Sequence, residues 1–196
     1  MIRVALTLLL LFSVSCVTNN PECKFSGIEP LYETVDINLS YSEKKPREVD
    51  IKVFMNAIIQ YGIGKKVVIT QKEVESKTRV WTSPSLEAYY GASKRKVKKK
   101  PGTLFLEFYH LPGVYIHGDR PVVGLANVVK DFIAVFYDAT HKICLKFVMI
   151  HELMHLVGME HCSNKLCIMY PSIKRGQRVL KLECMEKLQK IILDNQ

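Results

Sequence analysis

Two stretches of the chain carry apolar side chains at the spacing of an α-helix. Residues 46–61 show this period between Pro46, which suits a first helical turn, and Gly62, which suits an exit. Residues 179–195 show it again and predict a closing helix. The apolar positions that define the two stripes are Val49, Val53, Ala57 and Ile58 in the first and Leu180, Cys184, Leu188 and Ile191 in the second.

Shorter apolar runs between these helices are rich in β-branched and aromatic residues and predict strands. These runs cover residues 65–70, 103–109, 121–129 and 131–138. A Ser-Pro pair opens residues 83–90, where the pattern predicts a short helix or a turn. Strands and helices mixed in this order predict an α+β domain or a three-layer domain built on a sheet.

A further apolar segment, residues 143–157, predicts a helix that has no polar face to give to water. Its polar interruptions are few, namely Lys146, His151, Glu152 and His155. Such a helix is buried, and burying an ionised carboxylate costs several kcal/mol unless it is paired or lies near a cation. Glu152 therefore needs a cationic partner, and a divalent metal ion would supply one.

The histidines of this region have the spacing of zinc ligands. His151 and His155 lie four residues apart, so both imidazoles leave the same face of the helix. Gly158 can take the left-handed conformation that ends a helix, after which the chain would return His161 to the same metal. Three imidazoles leave a fourth zinc position for water, as catalytic sites do. The alternative, core histidines satisfied by backbone carbonyls, would leave Glu152 unexplained.

The chain begins with the features of an export signal. Arg3 precedes an apolar run that is shorter than the roughly 20 residues needed to span a bilayer, so residues 1–15 are predicted to be a signal peptide. The sequence SVSC resembles a bacterial lipoprotein signal, in which Cys16 would be acylated and anchored in a membrane. We expect an exported protein, either a periplasmic or outer-surface lipoprotein or a secreted one.

The remaining sequence fits one folded domain. The chain has 196 residues, and 48% of them are hydrophobic, which is enough for one core. Residues 16–27 contain the sequence VTNNPEC and are interpreted as a tether, with Cys23 as a simple tether residue. Residues 28–196 form the predicted domain. A buried N-terminal strand or helix is the alternative, and the polar tether argues against it.

The net charge of +9 is concentrated in one short segment. Residues 94–100 carry six of the basic side chains, and without them the domain is near neutral. A contact with anionic lipid, nucleic acid or an acidic polymer is one interpretation. A solvated loop is favoured, because no aromatic residues interleave with the charges as base stacking would require. We expect no nucleic-acid partner, and we expect a monomer.

The histidines and their spacing also carry a family resemblance. Residues 151–161 match the motif HExxHxxGxxH, and the sequence resembles the metzincins, a clan of zinc endopeptidases. That clan has a methionine turn beneath the metal, and Met169 lies eight residues after His161. The letters IMYP resemble the matrixins, whereas HCSNKLCIM resembles the archaemetzincins more closely. The firm resemblance covers residues 151–169, and a looser one covers residues 121–188.

The resemblance implies both a fold and a metal content. The fold would be an α+β, metzincin-like zincin fold, with a small mixed β-sheet packed with about three helices and an active-site helix followed by the Met-turn. One catalytic zinc ion would be held by His151, His155 and His161. The archaemetzincin pattern also implies a second, structural zinc ion that is held by four cysteine thiolates.

The second zinc site is incomplete in this sequence. Three of its cysteines are present as Cys162, Cys167 and Cys184, but Lys187 holds the fourth position and its ammonium has no lone pair. No spacing argument assigns Cys144 to the missing place. An oxidising compartment favours disulfides. A disulfide among the three cysteines and a retained structural zinc therefore both stay open.

The predicted function is hydrolysis of peptide or protein substrates by a zinc-bound water, with Glu152 as the general base. Residues 121–129 would offer an edge strand on which an extended substrate adds. Tyr170 is interpreted as a core residue in preference to an oxyanion donor. Histidines without metal spacing are interpreted as surface or loop residues, namely His110, His117 and His141.

Two other functions stay open at this point. One is a non-catalytic, zinc-containing envelope or surface-binding module that uses the basic residues 94–100. Glu152 argues against it, because a non-catalytic site has no need for that carboxylate. The other is a zinc hydrolase that cleaves a non-peptide amide, which the motif alone does not exclude.

Overall fold

The computed structural model describes residues 29–93, 100–140, 145–172 and 180–195. Within these ranges the helices are α1 (Glu48–Gln60), α2 (Ser83–Ser93), α3 (Tyr137–Thr140), α4 (Leu145–Leu156) and α5 (Leu182–Asp194). The strands are β1 (Tyr32–Tyr41), β2 (Gly64–Glu73), β3 (Val80–Trp81), β4 (Thr103–Leu111), β5 (Val114–His117), β6 (Arg120–Val122), β7 (Gly124–Asn127) and β8 (Phe132–Phe136). No helix in these ranges is long and apolar enough to cross a membrane.

Several predicted features lie outside the described residues. They are the signal peptide at residues 1–15, the tether at residues 16–27 with its two cysteines, residues 94–99 of the basic run, and the pair His141 and Cys144. These features stay predictions from the sequence.

The strands form two sheets. The larger has five strands in the order β2-β1-β4-β8-β7, and the smaller has three in the order β3-β5-β6. In the larger sheet, β1 pairs in parallel with β2 and β4, and β4 pairs in parallel with β8. The last strand, β7, runs antiparallel to β8. The two edges of the larger sheet are therefore formed by β2 and β7.

The larger sheet separates two hydrophobic clusters, because side chains on a strand alternate between its faces. On one face, the fully buried Val35, Ile37 and Leu39 of β1 join a cluster that includes side chains of α1 and α4. Each such side chain contributes roughly 1.5–3 kcal/mol relative to an exposed one. The second cluster is rich in aromatic rings and joins α2 and the small sheet to the other face; its buried members are Trp81, Leu86, Tyr109, Leu111, Tyr115, Phe132, Ala134 and Phe136.

Most of the predicted elements are observed. Helices α1, α2 and α5 and strands β2, β4 and β8 lie where the sequence predicts them. Gly62 follows α1 with φ of 66°, which fits its predicted place at the helix exit. The α+β class is confirmed, but the described chain has four helices of at least 11 residues and not about three.

The strand prediction was wrong in three places. The long strand β1 was not predicted, although its apolar residues alternate with polar ones. Residues 121–129 are not one strand, because the chain changes sheets at Val123 and leaves β6 in the small sheet and β7 in the large one. Residues 131–138 do not all form a strand either, since β8 ends at Phe136 and α3 begins at Tyr137.

His110 is buried within β4, so its interpretation as a surface or loop residue was wrong. Its Nδ1 lies 2.7 Å from the carbonyl oxygen of Lys44 and donates a hydrogen bond to it. Its ring packs against Tyr137, with 5.0 Å between the ring centroids. Burial lowers the pKa of His110 to about 4, so the ring is neutral at neutral pH. His117, at the end of β5, is exposed as predicted.

Replacing His110 with glutamine should make folding less sensitive to acid. A histidine in the unfolded chain has a pKa near 6.5, above the folded value of about 4, so the unfolded state binds the extra proton first. Stability is therefore lost as the pH falls through this window. Between about pH 7 and about pH 4, the free energy of unfolding should fall by on the order of 3 kcal/mol more in the wild type than in His110→Gln.

Urea denaturation of both proteins over this pH range, with a chelator present so that metal loss contributes equally, measures the difference. Glutamine keeps a donor for the Lys44 carbonyl, so the variant removes the titration and retains the hydrogen bond. Parallel pH profiles for the two proteins would contradict the prediction.

Candidate active site

The structure brings the three predicted metal ligands together at the end of α4. His151 and His155 lie one turn apart on α4, and His161 returns from the segment after the helix. The Nε2 atom of His155 lies 3.1 Å from the Nε2 of His151 and 3.1 Å from the Nε2 of His161. Among the described residues, this is one of two groups whose His, Cys, Asp or Glu atoms converge closely enough to hold a metal ion.

A reversal at the C-terminus of α4 returns His161 to the other two rings. Gly158 has φ of 93°, the left-handed conformation predicted for it. The Gly158 N–H donates to the His155 carbonyl, and the Met159 N–H donates to the Met154 carbonyl, which are the two hydrogen bonds of a Schellman motif. The motif closes the helix and redirects the chain within a few residues.

Backbone carbonyls fix the tautomer of two of the rings. The Nδ1 of His151 lies 2.6 Å from the Ile168 oxygen, and the Nδ1 of His155 lies 2.7 Å from the Met159 oxygen. A carbonyl oxygen only accepts, so both Nδ1 atoms carry the hydrogen. Each Nε2 of the neutral ring therefore keeps its lone pair and aims it at the space shared by the three rings.

These nitrogens fit a zinc ion. Lone pairs 3.1 Å apart repel one another unless a cation or a proton lies between them. Protonation is disfavoured, because burial lowers the pKa of His151 to about 4 and lowers the pKa values of His155 and His161 as well. Tetrahedral zinc, with Zn–N bonds of about 2.0–2.1 Å, places two nitrogens roughly 3.3 Å apart. Donor type, protonation state and spacing thus all match zinc.

Glu152 is buried where α4 meets the edge strand β7. Burial raises the pKa of its carboxyl group to about 8, and the hydrogen bond that the carboxylate accepts from the Ala126 N–H opposes this shift. At Gly124, a Cβ atom would lie 2.7 Å from Oε1 of Glu152 and 2.7 Å from Cγ1 of Val148. The missing side chain at Gly124 therefore allows the carboxylate to lie against the strand.

Strand β7 has one backbone edge that is not paired with β8. The Phe136 N–H donates to the Val123 carbonyl, so the backbone of Val123 faces β8. In an antiparallel ladder, the backbone N–H and C=O groups of successive residues point alternately towards and away from the partner strand. The backbone groups of Gly124 and Ala126 therefore point away from β8, and the Ala126 N–H meets Glu152 on that side. β7 thus provides the edge strand that the sequence predicts in this region.

The turn that contains Met169 contacts the segments that carry the ligands. Met169 is fully buried. The N–H of Cys162, the residue after His161, donates to the Met169 carbonyl at 2.9 Å. The preceding residue, Ile168, supplies the carbonyl that orients His151. The methionine turn is therefore joined by hydrogen bonds to two of the three histidine segments.

A second group of side chains lies beside this turn. Cys162, Cys167 and Cys184 are all buried, and their sulfur atoms lie within 4.8 Å of one another. The Sγ atoms of Cys167 and Cys184 are 3.1 Å apart. The side chain of Lys187 is exposed, with its Nζ 3.9 Å from Oε1 of Glu183. The structure therefore gathers the three predicted cysteines and leaves Lys187 outside the cluster.

A family comparison agrees with this geometry. The family model for the matrixins, a peptidase family, matches residues 18–191. The chain belongs to the matrixin family. No curated protein matches the sequence. Its family and its three converging imidazoles make this matrixin a zinc metallopeptidase, and the predicted metzincin resemblance is confirmed.

Solved archaemetzincins share the fold of the matrixin. Archaemetzincin from Methanopyrus kandleri is 15% identical with a TM-score of 0.63, over 82% of this chain and 97% of that one. Archaemetzincin from Archaeoglobus fulgidus, complexed with malonate, is 16% identical with a TM-score of 0.52, over 78% and 99% of the two chains. Metalloproteinase-II from Bacteroides fragilis is 19% identical with a TM-score of 0.53, over 83% and 54%. The predicted metzincin-like zincin fold is confirmed.

Sequence reasoning found the ligands of the site but missed the groups that hold them. The carbonyls of Met159 and Ile168 and the N–H of Ala126 are backbone groups, which no residue type signals. The contact of Gly124 with the glutamate is visible only in three dimensions. Tyr170 is half-buried, and its interpretation as a core residue stays a prediction.

Replacing Gly124 with alanine should impair catalysis without removing zinc. The added Cβ would lie 2.7 Å from Oε1 of Glu152, so the carboxylate or the strand must shift. A displacement of about 1 Å near the reacting groups can cost on the order of 100-fold in rate. We expect kcat/KM for a peptide substrate to fall by about that factor, with one zinc ion per chain still bound.

The matched control is Gly91→Ala on α2, where an added Cβ meets nothing within 4 Å. Peptidase assays and metal analysis of the wild type and both variants measure the effect. Equal activity for Gly124→Ala and Gly91→Ala would show that the close contact has no catalytic importance.

Proposed function

We propose that this matrixin is an exported zinc-dependent protease in which Glu152 is the general base for attack of water on a peptide bond. The placement of Glu152 supports the proposal. It follows the ligand His151 on α4, and its carboxylate accepts a hydrogen bond from the backbone of β7. One carboxylate therefore connects the metal-binding helix to the strand that a substrate would join.

Three imidazoles hold the metal in this proposal, namely those of His151, His155 and His161. When bound there, zinc supplies a Lewis acid that polarises a carbonyl and lowers the pKa of a water molecule towards 7. The Ile168 and Met159 carbonyls keep two of the rings in the tautomer that offers Nε2. His161 is the most exposed of the three rings, so the site opens to solvent on its side.

Glu152 moves the proton. Its carboxylate accepts a proton from the attacking water and later releases it to the nitrogen of the leaving amine. Without metal, burial holds the pKa of Glu152 at about 8, and a nearby dication lowers it. A carboxyl group whose pKa lies closer to neutrality than usual suits both the acceptance and the release of a proton.

The backbone of β7 binds the substrate in this proposal. An extended peptide would add to the outer edge as a further strand, with main-chain hydrogen bonds to Gly124 and to the Ala126 carbonyl, since the Ala126 N–H already donates to Glu152. Neither residue has a bulky side chain, so a second backbone can approach closely. Peptide and protein chains are therefore the expected substrates, and the zinc hydrolysis of a non-peptide amide is not favoured.

Export and lipid anchoring, which are part of the proposal, concern residues outside the described ranges. A signal peptide at residues 1–15 and acylation of Cys16 would place the enzyme at a periplasmic or outer surface. The non-catalytic alternative, which relies on the basic residues 94–100, is not favoured, because it gives the buried Glu152 no role.

Replacing Glu152 with glutamine should abolish most of the activity while zinc stays bound. Glutamine has the same shape and still offers an oxygen to the Ala126 N–H, but it cannot take a proton at neutral pH. We expect kcat to fall by about 10²–10⁴-fold, the range for loss of a general base. Cleavage of a proteome-derived peptide library and metal analysis of the same samples measure both quantities.

The control for this experiment is Glu160→Gln, which makes the same change at an exposed carboxylate between Met159 and His161. This variant should cleave like the wild type. Equal cleavage by Glu152→Gln and Glu160→Gln would rule out the general-base role. A loss of zinc from Glu152→Gln would instead show that the glutamate supports metal binding.

Replacing Cys16 with serine should abolish lipid attachment in a bacterial host. The thiol of Cys16 is the proposed acylation site, and serine cannot form the thioether. Incorporation of labelled palmitate into the wild type and into Cys23→Ser, but not into Cys16→Ser, is the expected result. An unlabelled wild-type protein would favour a secreted or soluble periplasmic enzyme over a lipoprotein.

A further inference from the structure

The three clustered cysteines lie in three separate segments next to the candidate active site. Cys162 directly follows the ligand His161, and Cys184 lies on α5. Cys167 precedes Ile168, whose carbonyl accepts a hydrogen bond from His151. All three sulfur atoms lie within 4.8 Å of one another in a buried position. The peptidase function described above makes no use of them, so the cluster needs an explanation of its own.

Within the part of the chain that the structure describes, the cluster offers three of the four ligands that a closed tetrahedral zinc site needs. No fourth His, Cys, Asp or Glu joins the group among the described residues. Lys187 lies three residues after Cys184, but its side chain is exposed and turned towards Glu183. Its ammonium also has no lone pair to offer a metal. The arrangement therefore points to sulfur–sulfur chemistry and not to a structural metal.

We propose that Cys167 and Cys184 form a disulfide in the mature protein and that Cys162 stays a thiol. The Sγ atoms of Cys167 and Cys184 are 3.1 Å apart, so a movement of about 1 Å brings them to bonding distance. The sulfur of Cys162 instead accepts a hydrogen bond from the Asn164 N–H in its own turn, at 3.3 Å. Cys162 also interacts with Cys184, so the proposed pairing rests on the 3.1 Å approach of Cys167 and on the hydrogen bond that Cys162 accepts within its own turn.

The reaction needs an oxidant, and a disulfide donor of the thiol–disulfide exchange class supplies it. The thiols of Cys167 and Cys184 lose two protons and two electrons and form one S–S bond. The disulfide of the donor takes up the two electrons and two protons and becomes two thiols. An oxidising compartment such as the one that receives exported proteins provides such donors.

The disulfide would stabilise the positions of the zinc ligands through the methionine turn, which contacts them. It would join α5 to the methionine turn, residues 17 apart in the chain. Within that turn, the carbonyl of Ile168 holds Nδ1 of His151, and the carbonyl of Met169 accepts from the Cys162 N–H beside His161. A covalent link at Cys167 would therefore restrain the backbone on which two of the three ligands depend.

The test is peptide mapping of the full-length protein, purified without reductant and equilibrated in a mixture of oxidised and reduced glutathione. Free thiols are alkylated, and the protein is then digested with trypsin. Cleavage after Lys165, Lys181 and Lys187 separates the three cysteines into three peptides. We expect the peptides of Cys167 and Cys184 to be joined by a disulfide and the peptide of Cys162 to be alkylated.

Other outcomes overturn the proposal. Three alkylated peptides with one zinc ion per chain would show free thiols, and three unbridged cysteines with two zinc ions would show a thiolate metal site. A bridge that includes Cys162 would show that the pairing is wrong. None of these results depends on peptidase activity, so failure here and failure of the proposed function are distinguishable.

Thermal unfolding gives an independent measurement. A reductant should lower the Tm of the wild type and of Cys162→Ala by roughly 6–12 °C, the effect of losing one bridge in a domain of this size. It should leave the Tm of Cys184→Ala unchanged, and this variant also controls for effects of the reductant on zinc. An equal shift in all three proteins would overturn the proposal.

Discussion

Three nitrogen lone pairs that converge within hydrogen-bonding distance form the constraint on which the rest of this structure depends. The Nε2 atoms of His151 and His155 both keep a lone pair and lie 3.1 Å apart, so they repel each other unless a cation lies between them. Several nearby elements position the three rings. Helix α4 sets two rings one turn apart, the reversal at Gly158 returns the third, and carbonyls from two loops hold the Nδ1 hydrogens. The backbone of these segments therefore sets the positions of the metal ligands.

The same helix carries a group whose position is unfavourable for stability. A buried carboxylate costs several kcal/mol when it is ionised without a partner, and the hydrogen bond from the Ala126 N–H to Glu152 does not offset this cost, because the pKa of Glu152 stays raised. A hydrophobic residue at this place would suit the core better. The position is understandable when the metal is included, because a neighbouring dication offsets the desolvation of the charge. The local instability of the metal-free site is thus a consequence of its proposed chemistry.

The sequence predicted the site more completely than the fold. His151, Glu152, His155 and His161 were identifiable because polar side chains at fixed spacing in an apolar helix have few structural explanations. Strand β1 was not predicted, and its alternating pattern does not reveal that the polar Asn38 and Ser40 are buried along with its apolar residues. In the structure one of these polar residues, Asn38, donates to Glu107 of a distant strand at 2.6 Å across 69 residues. Burial of His110 and the division between β6 and β7 likewise depend on contacts between distant segments, which local patterns do not report.

The two edges of the larger sheet differ in a way that affects how the protein meets other polypeptides. Strand β2 carries exposed lysines at positions 65, 66 and 72, and such charges hinder the docking of a foreign strand. Strand β7, at the opposite edge, has only small or uncharged side chains and lies against the catalytic helix. Uncontrolled aggregation through strand pairing is thus discouraged on one side. On the other side, any chain that adds to the sheet arrives beside the residues that would cut it.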